Sequence, residues 1–154
     1  SIGKIILLVV LVIILSGCGK NTEHSIVSCK YSQSDDSVSV AVERRFERDL
    51  GKKLITKGSL VMSYDFESVE IDKENNTSAF IASMFDGACD NLETTYKDCH
   101  LNIDENKVDV VMDFDLDVLE SSSGGRFKKT MTVNQVKSFI ISDNNINGLV
   151  CTTE

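Results

Sequence analysis

Residues 38–50 read VSVAVERRFERDL. In an extended chain Val38, Val40, Val42, Arg44, Phe46, Arg48 and Leu50 share one face, and Ser39, Ala41, Glu43, Arg45, Glu47 and Asp49 share the other. Alternation at period two over this length marks a half-buried strand rather than a helix. Arg44 and Arg48 fall on the apolar side, where the spacing predicts stems laid on the sheet and charged heads in water. Gly51-Lys52 supplies a turn into a second strand reaching about Glu67. In it Leu60, Met62, Tyr64 and Phe66 alternate against Ser59, Val61, Ser63 and Asp65. Two long alternating runs about a short turn are an antiparallel hairpin, and the fold is built outward from it.

Upstream, Ile26 to Tyr31 reads as a short first strand, with Ser34-Asp35-Asp36-Ser37 as its turn. Downstream, Phe80, Ile81, Met84, Phe85, Ala88 and Leu92 recur at helical spacing, with Asn76 or Thr77 as N-cap and Gly87 weakening the last turns. Cys99, Leu101 and Ile103 then alternate with His100, Asn102 and Asp104. A turn at Asp104-Glu105-Asn106 leads to the cleanest strand, with Val108, Val110, Met112, Phe114, Leu116 and Val118 on one face. Ser121 to Gly125 reads as a loop. Thr132-Val133-Asn134-Gln135 is a capping box for a second helix with Val133, Val136, Phe139 and Ile140 inward, and Ile146 to Cys151 returns to the domain. The expected fold is α+β: an antiparallel sheet of about four to five strands, arranged as long hairpin, helix, hairpin, helix, with two helices packed on one face.

The chain of 154 residues carries 24 Asp and Glu against 16 Lys and Arg, a formal net charge of −8. Nucleic acid is a poor partner for so acidic a domain, because phosphate binding needs clustered Lys and Arg. The domain also stands off anionic head groups rather than lying on them. Its length suits one domain with a core, not two.

The N-terminus holds the most specific signal. Ile5 to Leu15 is an unbroken apolar run of eleven residues after Lys4. A spanning helix needs roughly 20 such residues, whereas the core of a signal peptide needs roughly 7–15. The run ends in Leu15-Ser16-Gly17-Cys18. With Ser1 in place of methionine, the first few residues are expected to be missing. The four residues match the lipobox at every position, and here the chain resembles bacterial lipoproteins. That resemblance implies cleavage between Gly17 and Cys18, diacylglycerol on the Cys18 sulfur, and acylation (palmitate among the acyl chains) of the new amino terminus. Two or three acyl chains anchor stably, where one binds only marginally. The organisation expected is a signal peptide over 1–17, a lipidated tether over 18–25 and one extracytoplasmic domain over 26–154. The partner is the membrane, through the lipid, and no other cofactor is implied. The tether reaches roughly 20 Å when extended.

The mature chain is also similar to small YehR-like lipoproteins, which share the lipobox, two long strands, a helix, a further hairpin and a final helix. Some carry one cysteine after the tether and one at the C-terminus, as Cys29 and Cys151 stand here. The resemblance implies no activity and no catalytic residues.

Setting Cys18 aside leaves Cys29, Cys89, Cys99 and Cys151, an even set that allows three pairings. The preferred pairing is Cys29–Cys151, start to end of the domain, with Cys89–Cys99, helix end to next strand. Loop entropy makes the long bridge worth about 5 kcal/mol and the short one about 2.7. A zinc site is the alternative, and it lacks a Cys-x-x-Cys pair.

Asp113-x-Asp115-x-Asp117 invites a calcium reading, yet counting from Asp113 puts Val118 and Gly124 where an EF-hand loop needs Gly and Glu. On a strand the three carboxylates step about 7 Å apart along the solvated face, a weak cation site at most. Cys99 and His100 are neighbours on a strand and point to opposite faces, so they make no nucleophile–base pair. Arg126, Lys128 and Lys129 form a small basic cluster that reads as solvated surface. The favoured function is a non-enzymatic, membrane-anchored interaction or ligand-binding module on the extracytoplasmic face. The alternatives are a hydrolase-like enzyme with a site of scattered acidic residues, and a weak divalent-cation-binding surface domain.

Overall fold

A computed structural model describes residues 23–35, 37–66, 83–104 and 106–154. It contains six strands, β1 His24–Ser34, β2 Ser39–Asp49, β3 Leu54–Asp65, β4 Tyr96–Asp104, β5 Lys107–Phe114 and β6 Val150–Thr153. The described residues also form two helices, α1 Leu116–Ser122 and α2 Val133–Asn144. The strands make one antiparallel sheet in the order β4-β5-β3-β2-β1-β6. The α+β class holds, with more strands than the four to five expected. Short β6, paired to β1 over four residues, accounts for the difference.

Strand register explains the core. Opposite residues on neighbouring strands share a face, and the pairings Cys151–Cys29–Arg44–Leu60–Met112–Cys99 form one row across all six strands. The same face carries Val27, Phe46, Val108, Val110 and Phe114, all buried, as the alternation predicts. α2 lies over β1 and β2 and inserts Val136 and Ile140 beside Val27 and Phe46. Its capping box forms as expected: Thr132 Oγ1 accepts the Gln135 N–H, and Gln135 Oε1 accepts the Thr132 N–H.

Two expectations about local structure are corrected. The strand from Val108 ends at Phe114, not at Val118. Asp115 accepts the Val118 N–H at 3.2 Å and caps α1, while its own N–H is turned to the Thr95 carbonyl at 2.8 Å. A carboxylate on an orphan helix N–H thus wins over an alternation that Leu116 and Val118 could have continued. Ser121 and Ser122 consequently belong to α1 and not to a loop. The helix expected from Asn76 or Thr77 to Leu92 lies partly outside the described residues. Helical backbone is described only at Ser83 and Met84, and turns follow from Phe85 to Asn91. Phe85, Ala88 and Leu92 still pack on the core, so the apolar positions hold without the regular helix.

Gly58 lies opposite Phe46, and a Cβ there would stand 2.7 Å from the Phe46 ring and 3.2 Å from Leu116 Cδ2. Phe46 cannot retreat, since its ring is buried and stacked on Phe114 at 5.4 Å. Gly58→Ala is expected to cost about 1–3 kcal/mol by overpacking. An unchanged urea midpoint would refute this account of the contact.

Both turns of the β1–β2–β3 meander are closed by aspartates. Asp35 accepts the Ser37 and Val38 N–H groups at 2.8 and 2.9 Å, and Asp49 accepts that of Lys52 at 2.9 Å. These bonds favour the ionised form and hold both carboxyls below their usual range. A depressed folded-state value adds stability above the ordinary carboxyl pKa of about 4, and that stability is lost as the pH falls through the folded value. Stability should therefore fall below about pH 4, and less steeply in the Asp35→Asn/Asp49→Asn double variant. Superimposable acid limbs for the two proteins would rule this out.

Candidate functional site

Arg44 stands at the centre of the apolar row because period-two alternation places it there, between Cys29 and Leu60. Above it, α2 brings Phe139, Ile140 and Asp143, and the approach to β4 brings Glu93, Thr95 and Tyr96. Between these groups and the sheet lies a cavity of about 230 Å³, walled by Phe46, Phe114 and Leu119 besides. Four aromatic rings and a guanidinium thus share one recess.

The two arginines placed on the apolar side by the sequence behave differently. Arg48 donates from Nε to the Met131 carbonyl at 3.0 Å. Arg44 Nη1 is buried without a hydrogen-bond acceptor, and Arg44 joins none of the ion pairs formed among the described residues. Its head is therefore not simply in water, as had been expected. Burial pulls the guanidinium below its ordinary value, with Tyr96 and Asp143 opposing; it remains a cation at neutral pH. Burial raises the Tyr96 phenol, nearby Glu93 adds to the rise and Arg44 opposes it, so Tyr96 is a neutral hydroxyl here. Asp143 is occupied by Arg126, and Glu93 is exposed at the rim.

The other site residues fall as follows. Cys29–Cys151 and Cys89–Cys99 are both disulfides, the preferred one of the three pairings. Gly17 and Cys18 lie outside the described residues. Asp113, Asp115 and Asp117 do not share a face. Asp113, on β5, accepts from the Ser59 hydroxyl at 2.9 Å, Asp115 caps α1, and Asp117, inside α1, pairs with Lys129. The Asp117 partnership raises Lys129 above its ordinary value. Among the described residues no group of three or more His, Cys, Asp or Glu side chains is placed to hold a metal. Cys99 is in a disulfide and His100 is exposed on the far face. His24, expected in the tether, begins β1 with Nδ1 3.2 Å from Glu47. The basic cluster is split between two aspartate partners, Arg126 on Asp143 and Lys129 on Asp117.

A wider opening of about 490 Å³ lies where β3 begins beside α1, with Lys52, Lys97 and Lys129 on its walls. Asp115 and Asp117 stand among these lysines, so their charge is largely offset locally. In the Arg44 recess the guanidinium meets Phe46, Phe114 and Phe139 together with Glu93 and Asp143. Sequence reading placed Arg44 on the correct face and missed Tyr96, Glu93 and Asp143, whose convergence depends on tertiary packing.

Comparison with protein-family models, with curated proteins and with solved structures returns no match to this chain.

Proposed function

We propose that this chain is a lipid-anchored lipoprotein of the extracytoplasmic face of the cell membrane, and that its domain is a non-catalytic binding module. The observation that carries the proposal is Leu15-Ser16-Gly17-Cys18 at the end of the Ile5–Leu15 run. The other four cysteines, paired in two disulfides, support it, because such bridges persist in oxidising compartments and not in the cytosol. They also leave Cys18 as the one thiol outside the set, free for the lipid. No helix among the described residues is long and apolar enough to cross a membrane.

The long β2–β3 pair, the β4–β5 hairpin, closing helix α2 and the Cys29–Cys151 bridge support grouping with the YehR-like lipoproteins; α1 is additional to that pattern, and the helix that the pattern places before the hairpin is described only at Ser83 and Met84. For the domain's role, the Arg44 recess supports ligand binding. The engagement of Asp113, Asp115 and Asp117 with Ser59, Val118 and Lys129 weighs against the weak divalent-cation surface, while the non-catalytic reading rests on the sequence, in which no catalytic constellation stands out.

In cells, Cys18→Ser should move the protein from the membrane fraction to the soluble fraction and abolish incorporation of labelled palmitate. Continued membrane retention of that variant would refute lipid anchoring.

A further inference from the structure

We infer that the β2–β3 turn end of the domain rests on the anionic phospholipid head groups of the membrane, with its lysines over the phosphates and Leu50 at the interface. This deepens the anchoring proposed above and rests on it.

Topology brings this turn to the lipid. Leu50, which follows β2, donates its N–H to the Glu23 carbonyl at 2.9 Å, and His24 pairs with Asp49. From Cys18 to Glu23 the chain reaches at most about 18 Å, however it runs. An acylated Cys18 therefore holds the turn near the head groups, whereas the opposite end of the sheet lies about 34 Å away along the 11 residues of β1. Charge follows the same axis. A net charge of −8 predicts stand-off from anionic lipid only where that charge is evenly spread, and it is not. Lys52 and Lys53 occupy the turn, and Lys57, Lys97 and Lys128 are exposed beside it. Two surface depressions meet at Lys97; one has Lys52 and Lys129 on its walls, the other Lys57. The Lys129 carbonyl accepts the Ile55 N–H at 2.7 Å, which brings Lys128 to the start of β3. Lys52, Lys53, Lys57, Lys97 and Lys128 join none of the ion pairs among the described residues. These lysines outnumber Asp49, Asp113, Asp115 and Asp117, which stand among them, and Asp117 is already paired with Lys129. Glu23, Glu47 and Glu154 lie towards β1 and β6, so the contact falls on the β3 side of this end. At the opposite end the balance reverses, with Asp35, Asp65, Asp104 and Asp109 outnumbering Lys30 and Lys107. Leu50 is 39% exposed in the turn, and an apolar side chain among lysines suits the boundary between head groups and acyl chains. Each lysine adds only a modest attraction to an anionic leaflet, but the tether makes the contact intramolecular, so little affinity is needed.

The chain contains no tryptophan, so Leu50→Trp places a single reporter in the turn and Gln33→Trp places one at the opposite end. Each lipidated protein is reconstituted in vesicles of phosphatidylcholine alone, or of an equal mixture with phosphatidylglycerol. In the mixture the Leu50→Trp emission should shift to the blue. Brominated acyl chains should quench it at least about twofold more strongly there than in phosphatidylcholine, while Gln33→Trp should not respond. Adding Lys52→Gln/Lys53→Gln/Lys97→Gln, at exposed side chains without ion pairs, should leave the thermal transition in place and remove the dependence on phosphatidylglycerol. Salt at about 1 M, where the Debye length is about 3 Å, should remove it with the lysines intact. Equal Leu50→Trp signals in the two lipids, a difference that survives the lysine variant, or an equal response from Gln33→Trp would overturn the inference. Cys18→Ser should still leave the membrane fraction, because surface lysines and one leucine hold less firmly than acyl chains. A chain that floats with the vesicles yet shows no lipid dependence keeps its anchor and loses the docked face. One that does not float with them overturns the anchoring as well.

Discussion

Replacing both Cys29 and Cys151 by alanine is expected to lower the stability of the folded domain by about 5 kcal/mol, the loop-entropy value for a bridge spanning 122 residues. Folded domains typically hold only about 5–15 kcal/mol, so this loss is most of the total or a large part of it. The bridge joins residues directly opposite one another on β1 and β6. β6 is four residues long and lies at a sheet edge; beyond its ladder, two backbone bonds between Ile26 and Glu154, at 2.9 and 2.8 Å, fasten the C-terminus. Without the covalent link this edge has little apolar surface to hold it, since Val150 is exposed. Cys89→Ala/Cys99→Ala opens a loop of separation 10 and is expected to cost about 2.7 kcal/mol, roughly half as much. Urea unfolding of the two double variants, at equal protein concentration, measures both. A short-bridge variant as unstable as the long-bridge variant would contradict the assignment of the larger effect to the Cys29–Cys151 link.

Where structure follows from alternation, it was legible in the sequence. The side chains of Val108, Val110, Met112 and Phe114 point where period two sends them, and Thr132 with Gln135 closes the capping box that the motif names. Such features depend on residues close in the chain. What was not legible depends on competition or on distant partners. Leu116 and Val118 fit either a continuing strand or a helix. The balance is tipped by the Asp115 carboxylate and by Thr95, which takes the Asp115 N–H across the sheet end. The Asp113, Asp115 and Asp117 series was readable as a solvated strand face only while the strand was thought to continue. The cysteines allowed three pairings, and the register that sets Cys29 opposite Cys151 is a property of the assembled sheet. Arg44 follows the same rule. Its face was readable; the absence of a partner for Nη1 was not, because the groups around it come from β4 and α2.

Phe127 is a core residue that local sequence leaves unplaced, and Phe127→Ala is expected to cost about 3–5 kcal/mol. It sits in Arg126-Phe127-Lys128-Lys129, a run whose charges suggest solvated surface, yet its side chain is 0% exposed. The backbone is turned to make this so. Gly124 and Gly125 adopt φ of 66° and 86°, and the Ser123 hydroxyl accepts the Phe127 N–H at 3.0 Å. Positive φ at two successive positions is readily available to glycine, which lets the chain reverse after α1 and drive the ring inward. There it lies 5.7 Å from Phe46 and 5.5 Å from Phe139, bridging the sheet to α2. Truncation removes these contacts and leaves a void that rigid neighbours fill poorly. Met84→Ala, at a side chain 58% exposed, should change stability by less than about 0.5 kcal/mol and serves as the comparison. Urea denaturation of the two variants gives the ratio, and a Phe127→Ala cost below about 1 kcal/mol would show that the ring is not a core bridge.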